Sequence, residues 1–342
     1  MQNPQVNVNL IVYNGEKYIR RCLGAAKAQS YPNVKFRIFD NASEDNTLKI
    51  AQEVWPEAEI VRFDKNYILG GGFNRSLYYS EAPYVVGLSV DVAMAPNFIE
   101  RAVAVMEKHK SMGVLQAKIY RYNYATDTNT NIIDTTGMQI FRSRRIINRG
   151  HGEEDRGQYN TPEEIFCYEG AVPFFRREAL EDTKMLKSVS DQKYPYEYLD
   201  EDFVWYADEV DLGWRMRLMG WGSWYEPSVI AWHDRQTTHK LSGGKLDFIA
   251  ERRLIPALKK RLDLQNQRLA FIKNDFMGNI LRDIPFWLKR EFMLVAYALL
   301  FERSTLRAYL EILKKTPLMV RKRQEIMGKR RVGAREMRKW FL

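Results

Sequence analysis

The chain has 342 residues, 45% hydrophobic and 13% aromatic, enough for a large core and too many for wholesale disorder. Its net charge of +10 is uneven: residues 251–342 carry 23 Lys and Arg against 9 Asp and Glu, leaving 30 against 34 in residues 1–250. A mildly acidic body with a strongly basic tail argues against nucleic acid as a partner, and two distant cysteines, Cys22 and Cys167, exclude a disulfide scaffold and a Cys-based zinc site.

The opening MQNPQVNVNLIV lacks a basic segment and a cleavage site, so no signal peptide is expected. Val6–Val12 reads as a strand that begins half-buried and ends fully buried. Lys17–Ala28 has helical composition, and Val34–Phe39 is a second strand. Asp45 can cap the helix that runs through Ala51 and Val54. Glu59–Phe63 is a third strand, Gly70–Gly72 opens another helix, and Tyr84–Ser89 is a fourth strand. Pro96 starts a helix with Phe98, Ile99, Ala102, Val103 and Met106 on one face. Strands and helices alternating at this pace predict a parallel α/β sheet with right-handed crossovers.

Ligands of such sheets sit outside the carboxyl ends of the strands. Here those ends are polar: Tyr13-Asn14-Gly15, Asp40-Asn41-Ala42-Ser43-Glu44-Asp45, and Ser89-Val90-Asp91. Asp40 and Asp91 suit a nucleotide that brings a metal ion. Gly70–Gly72 lets backbone approach a ligand at a helix start.

Residues 118–195 have less regular periodicity and predict loops with a mixed second half of the sheet. The segment Ala207–Trp221 predicts a helix with Leu212, Met216 and Met219 on its apolar face, ended by Gly220. Trp224–Trp232 predicts a strand leading into His233. After Gly244 the composition is helical and basic. Its longest apolar run, Phe292–Phe301, has ten residues. A bilayer span needs about 20, so no transmembrane helix is expected.

The order YNG, DNASEDNT, Asn66 to GGGFN74, SVD, ADEVDLGWRMRLMGW and AWH resembles family 2 glycosyltransferases. Within them it is most similar to the bacterial rhamnosyltransferase branch, whose members build cell-surface polysaccharides. The resemblance covers roughly residues 5–240, and QNQRLAFIKN near 266–274 fits it too. It implies the GT-A fold, an α/β nucleotide-diphospho-sugar transferase fold with a mostly parallel Rossmann-like sheet. A catalytic domain over 1–240 and a basic, mainly helical C-terminal extension over 241–342 follow.

The resemblance also assigns roles. Tyr13, Asn14, Asp40 and Asn41 would hold the nucleobase and ribose of a dTDP- or UDP-sugar. Asn66, Gly71, Gly72, Asn74 and Ser89 would line the donor. Asp91 takes the place of the last acid of the DxD motif and, with His233, would bind Mg²⁺ or Mn²⁺. Ser89 replaces the first acid. Family members usually show Glu-Asp where this chain has Asp208-Glu209. The second position carries the base, so Glu209 would deprotonate the acceptor, with Asp208 as the alternative. Asp211 and Arg215 would meet acceptor or phosphate, or Arg215 would simply pair with helix neighbours.

The resemblance implies inversion at the anomeric carbon. No Gln-x-x-Arg-Trp string follows the acids, so one transfer per acceptor is expected. A catalytically inactive scaffold with the same fold is the alternative. The basic clusters Arg321–Arg323, Lys329–Arg331 and Arg335–Lys339, beside Trp340 and Phe341, suit an anionic membrane surface. A cytoplasmic protein, peripheral at the inner face of the cell membrane and acting on a polyprenyl-linked glycan, is therefore expected. Packing of the apolar run on the body or a contact between copies is the competing reading.

Overall fold

The first strand, β1 (Val6–Val12), is buried along its whole length. This was seen in a computed structural model that describes residues 3–235 and 255–342. The expected half-buried start is absent because the two asparagines also face protein. Asn9 donates from Nδ2 to Ser76 Oγ at 2.9 Å.

On one side of β1 lie β2 (Val34–Asp40) and β3 (Glu59–Arg62), and on the other β4 (Tyr84–Ser89), all parallel. The connections are α1 (Ile19–Lys27), α2 (Thr47–Val54) and α3 (Ile68–Ser76). After the short β5 (Val92–Met94), α4 (Phe98–Lys108) buries the expected face.

The second half is mixed, as the irregular periodicity predicted. It contains β6 (Met112–Asn123), β7 (Thr128–Thr135), a ribbon of β8 (Met138–Ile140) and β9 (Ile146–Asn148), then β10 (Glu163–Ile165) and β11 (Phe174–Arg176). Helix α5 (Arg177–Thr183) and a second ribbon, β12 (Met185–Leu186) with β13 (Tyr196–Glu197), precede α6 (Asp208–Leu218) and β14 (Gly222–His233). The main sheet runs β10-β14-β6-β11-β4-β1-β2-β3. Strand β11 is antiparallel to both neighbours, whereas β14 is parallel to β6. Gly220, at φ +88°, turns the chain out of α6, a conformation that glycine adopts without a Cβ clash.

The C-terminal helices are α7 (Ala257–Asn274), α8 (Met277–Phe301), α9 (Arg307–Lys329) and α10 (Ala334–Arg338). They share core with the body. Phe271, Ile326, Met337 and Phe341 belong to the same buried cluster as Trp214 of α6. Leu342 N–H donates to Ile140 O at 3.0 Å, and Arg142 N–H to Leu342 O at 2.8 Å. The expected boundary between residues 240 and 241 lies outside the described residues. Among the described residues no helix is long and apolar enough to cross a membrane.

Candidate active site

Register brings the polar strand ends together. Val12 pairs with Asp40 across β1 and β2, and Ile11 pairs with Ser89 across β1 and β4. The loops that follow therefore leave the same sheet edge side by side.

The first two loops are laced to each other. Asn14 N–H donates to Ser43 Oγ at 3.0 Å, and Asn14 Oδ1 accepts from Glu44 N–H at 2.9 Å. Gly15 N–H donates to Thr47 Oγ1 at 2.7 Å. Tyr13 remains exposed at the mouth. Asp40, expected at the nucleotide, is fully buried. Its carboxylate accepts from Ser43 N–H at 3.1 Å and pairs with Arg62 Nε at 3.4 Å, so it holds the turn. Asp45 accepts from Glu16 N–H at 3.1 Å and Thr47 N–H at 3.0 Å, so it ties the loops and serves the start of α2.

The glycine run departs from expectation. The helix opens two residues earlier, at Ile68, so the glycines lie within α3, where they serve close packing. A Cβ on Gly72 would stand 2.8 Å from both Asn41 Nδ2 and Ile11 Cγ2, and one on Gly70 would stand 3.2 Å from Asp208 Oδ2. Gly71 faces Tyr67 and Arg75. Asn66 accepts from Ile68 N–H at 2.7 Å and fixes the helix start. Asn41 donates to Ile68 O at 3.1 Å. Asn74 is also not donor-facing. It is fully buried, and its amide holds Tyr198 N–H, Leu199 N–H and Leu199 O at 2.8–3.0 Å.

Asp91 and His233 do meet. His233 pairs with Val92 across β5 and β14, which brings its ring to the turn carrying Asp91. His233 Nε2 lies 3.2 Å from Asp91 Oδ2, and Nδ1 lies 2.9 Å from Asp134 Oδ2. Asp134 is held by Arg235 Nε at 2.7 Å, and Arg235 also reaches Glu169 at 2.7 Å. Burial opposes a proton on His233, but Asp91 and Asp134 prevail and push it up to about 10. Burial also opposes the charge of Asp91, yet His233 holds that carboxyl below its ordinary value.

This pair fits a divalent ion. Neighbouring ligands of an octahedral ion at about 2.1 Å stand about 3 Å apart, close to the separation found. Asp134 supplies the carboxylate behind a ligating imidazole that orients the ring. The one cluster of three close acids among the described residues, Glu197, Asp200 and Asp202, fits a metal poorly. Lys322 Nζ already fills it, at 2.6, 2.6 and 2.7 Å.

Asp208 and Glu209 open α6 after a strained approach. Val204, Tyr206 and Ala207 have φ of 67°, 69° and 61°. Such residues persist only where surroundings overdetermine them. Asn266 of α7 does this: its Nδ2 donates to the carbonyls of Phe203, Trp205 and Tyr206 at 2.8, 2.7 and 2.9 Å. The two carboxyls line a cavity of about 60 Å³ with Ser89, Gly170 and Tyr168, against apolar walls that include Ile11, Leu69 and Phe73. Burial raises the proton affinity of both acids, and the Asp208 charge raises that of Glu209 further. Tyr168 is 1% exposed, and no hydrogen-bond partner for its hydroxyl is found among the described residues.

Asp211 and Arg215 are structural, which corrects the acceptor or phosphate role. Both are fully exposed to protein and not to solvent. Arg215 Nε pairs with Asp211 at 3.0 Å, and its two terminal nitrogens donate to the carbonyls of Thr183 and Tyr198. No guanidinium nitrogen is left for a phosphate. Asp211 also holds Lys273 at 2.8 Å and Asn274 at 2.7 Å. The neighbour-pairing alternative is the one found.

Sequence reasoning missed Asp134, Glu169, Arg235, Tyr168 and Asn266. Asn266 lies in the quoted string QNQRLAFIKN, and Asp134 opens a DTTG string, yet only tertiary contact gives them work. The other three carry no local signal.

A curled, mixed sheet with a carboxylate pair and an Asp–His pair at its strand ends is the GT-A glycosyltransferase architecture. It superposes on GalNAc-T7 solved with UDP, GalNAc and Mn²⁺ at a TM-score of 0.56, with 12% identity over 79% of this chain and 48% of that one. It superposes on the mannosyltransferase PcManGT of Pyrobaculum calidifontis, in complex with GDP-Man and Mn²⁺, at 0.52, with 15% identity over 96% and 86% of the two chains. The family model "Glycosyl transferase family 2" matches residues 8–184, and the chain belongs to that family. It is 30% identical over 132 residues to the chondroitin synthase of Escherichia coli, covering 38% of this chain and 19% of that enzyme's length. These likenesses establish the family and do not single out its rhamnosyltransferase branch.

Proposed function

We propose that this chain is an inverting, metal-dependent glycosyltransferase. It moves one sugar from a nucleotide-diphosphate sugar, dTDP-rhamnose or a UDP-sugar, to a lipid-linked or polysaccharide acceptor. The observation that carries the reading is the shared cavity of Glu209, Asp208 and Ser89 at the strand ends where Asp91 meets His233.

Glu209 accepts the acceptor hydroxyl's proton as that oxygen attacks the anomeric carbon. The bond to the diphosphate breaks on the opposite face, which inverts the centre. A proton affinity raised by burial and by the Asp208 charge suits this base. Asp91 and His233 would hold a divalent ion, which when bound offsets charge on the departing diphosphate. Asp134 keeps the His233 ring aimed at that position. Asn266 keeps the start of α6, and so Glu209, at the cavity. We place the protein at an anionic membrane surface, where a polyprenyl-linked acceptor would be found.

A thermal-shift panel of nucleotide sugars with and without Mn²⁺ tests the reading. Stabilisation by one UDP- or dTDP-sugar, larger with Mn²⁺ and lost in Asp91→Ala, is expected. Turnover that continues unchanged in both Glu209→Gln and Asp91→Ala would overturn the site assignment. No stabilisation by any donor would favour a scaffold.

A further inference from the structure

Part of the charge in the basic C-terminal clusters is used within the protein. Lys322 is buried among three acids. Arg331 pairs with Asp182 at 2.7 Å, Arg338 pairs with Asp283 at 2.9 Å, and Arg323 donates to Ile272 O at 3.0 Å. Lys322 and Arg331 fasten the tail to the body, while Arg338 and Arg323 join the tail helices to one another.

The surface with unused apolar area is α8. Residues turn by about 100° each along a helix. Leu281, Leu288, Phe292 and Leu299 therefore form one stripe, with Met293 and Leu300 beside it. All six are exposed, Phe292 by 76% and Leu300 by 74%. Single exposed apolar residues are ordinary, but a continuous stripe marks a contact surface.

Charge on α8 is sorted by side. Its two acids turn inward: Asp283 is held by Arg142, Arg144 and Arg338, and Glu291 by both terminal contacts of Arg268 at 2.7 Å. Its exposed charges, Arg282 and Lys289, are both cations. The outer face is thus apolar and positive, with no exposed acid of α8 on it.

We propose that this outer face of α8 lies on an anionic lipid bilayer, with the leucines and phenylalanines at the acyl boundary and Arg282 and Lys289 at the headgroups. The proposal rests on the membrane reading above and gives it a surface. A second copy of the chain would bring like charges together across such a face. An anionic headgroup layer neutralises them. The helix would lie along the surface, because no described helix can span a bilayer.

Flotation of the full chain with phosphatidylglycerol–phosphatidylcholine vesicles tests this. The expected result is co-flotation that weakens on pure phosphatidylcholine and in high salt. Phe292→Glu with Leu288→Glu should cut partitioning at least tenfold, while Arg330→Ser with Lys329→Ser changes it less than twofold. Both variants alter exposed side chains, and matched melting temperatures will confirm folding. Their turnover on a water-soluble acceptor should equal that of the parent chain, which separates this test from that of the catalytic site. Failure of the parent chain to float would overturn the proposal. So would undiminished flotation of the Phe292 and Leu288 variant. Loss of a dimer in that variant, seen by sedimentation without vesicle binding by the parent, would assign the face to a second copy instead.

Discussion

Lys273 of α7 and Asp211 of α6 form an ion pair at 2.8 Å, and both side chains are fully buried. The same ammonium reaches Asp200 at 2.5 Å. One lysine of the C-terminal helices thus neutralises acids on either side of the start of α6. The helix that carries Asp208 and Glu209 is braced by the segment that sequence sets apart as an extension.

Lys273→Met should therefore destabilise the whole protein. Removing one partner of a buried pair leaves charge without compensation, at a cost of about 3–5 kcal/mol. Denaturant unfolding followed by tryptophan fluorescence will measure it. A loss below about 1 kcal/mol, the range of a surface pair, would show that α7 is not a brace.

Stability should also fall as pH rises towards 8. Burial, with the charge of Asp200, pushes the Glu197 carboxyl up to about 7 despite Lys322 beside it. The unfolded chain releases this proton near its ordinary value, so the folded state binds more protons between the two. The contribution is present below the unfolded value and is lost as pH rises through about 7. Glu197→Gln should flatten that slope in urea melts at stepped pH. An unchanged slope would place its origin elsewhere.

Glu209→Gln should lower kcat by about 10²–10⁴ without lowering the melting temperature, because the folded site already disfavours the charged form. Asp208→Asn should act on pH. Activity rises with pH as the base ionises, and the Asp208 charge raises the base's proton affinity. Its removal should move the acid limb of the rate profile to lower pH. A limb that moves to higher pH would make Asp208 the base.

Gly72→Ala tests the packing of α3. Alanine gains about 1 kcal/mol in helix propensity. Its Cβ would meet Asn41 and Ile11 at 2.8 Å, and such overpacking costs about 1–3 kcal/mol. A net loss is expected in thermal melts. A gain would mean that the loop at Asn41 yields freely.

The N-terminal half was readable because its rules are local. Strand ends and the apolar face of α4 follow from period, capping and backbone freedom over a few residues, as does the later stop at Gly220. Asp91, His233, Asp208 and Glu209 could be placed at strand and helix ends, and the structure brings Asp91 to His233 and the two α6 acids to one cavity. The burial of Asp40, Asn74, Asp211 and Arg215 was not legible, because a polar residue near a crevice can turn either way. Its burial depends on partners, such as Arg62, Leu199 and Lys273, brought from elsewhere in the chain.

The net charge shows the division most plainly. Sequence alone determined that the positive excess lies after residue 250 and that the body is mildly acidic. Only the tertiary structure decided what the excess does. Lys273 and Lys322 are drawn inside by buried acids, because a carboxylate without water needs a partner charge. Arg282 and Lys289 stay outside, beside an apolar stripe that no part of the described body covers.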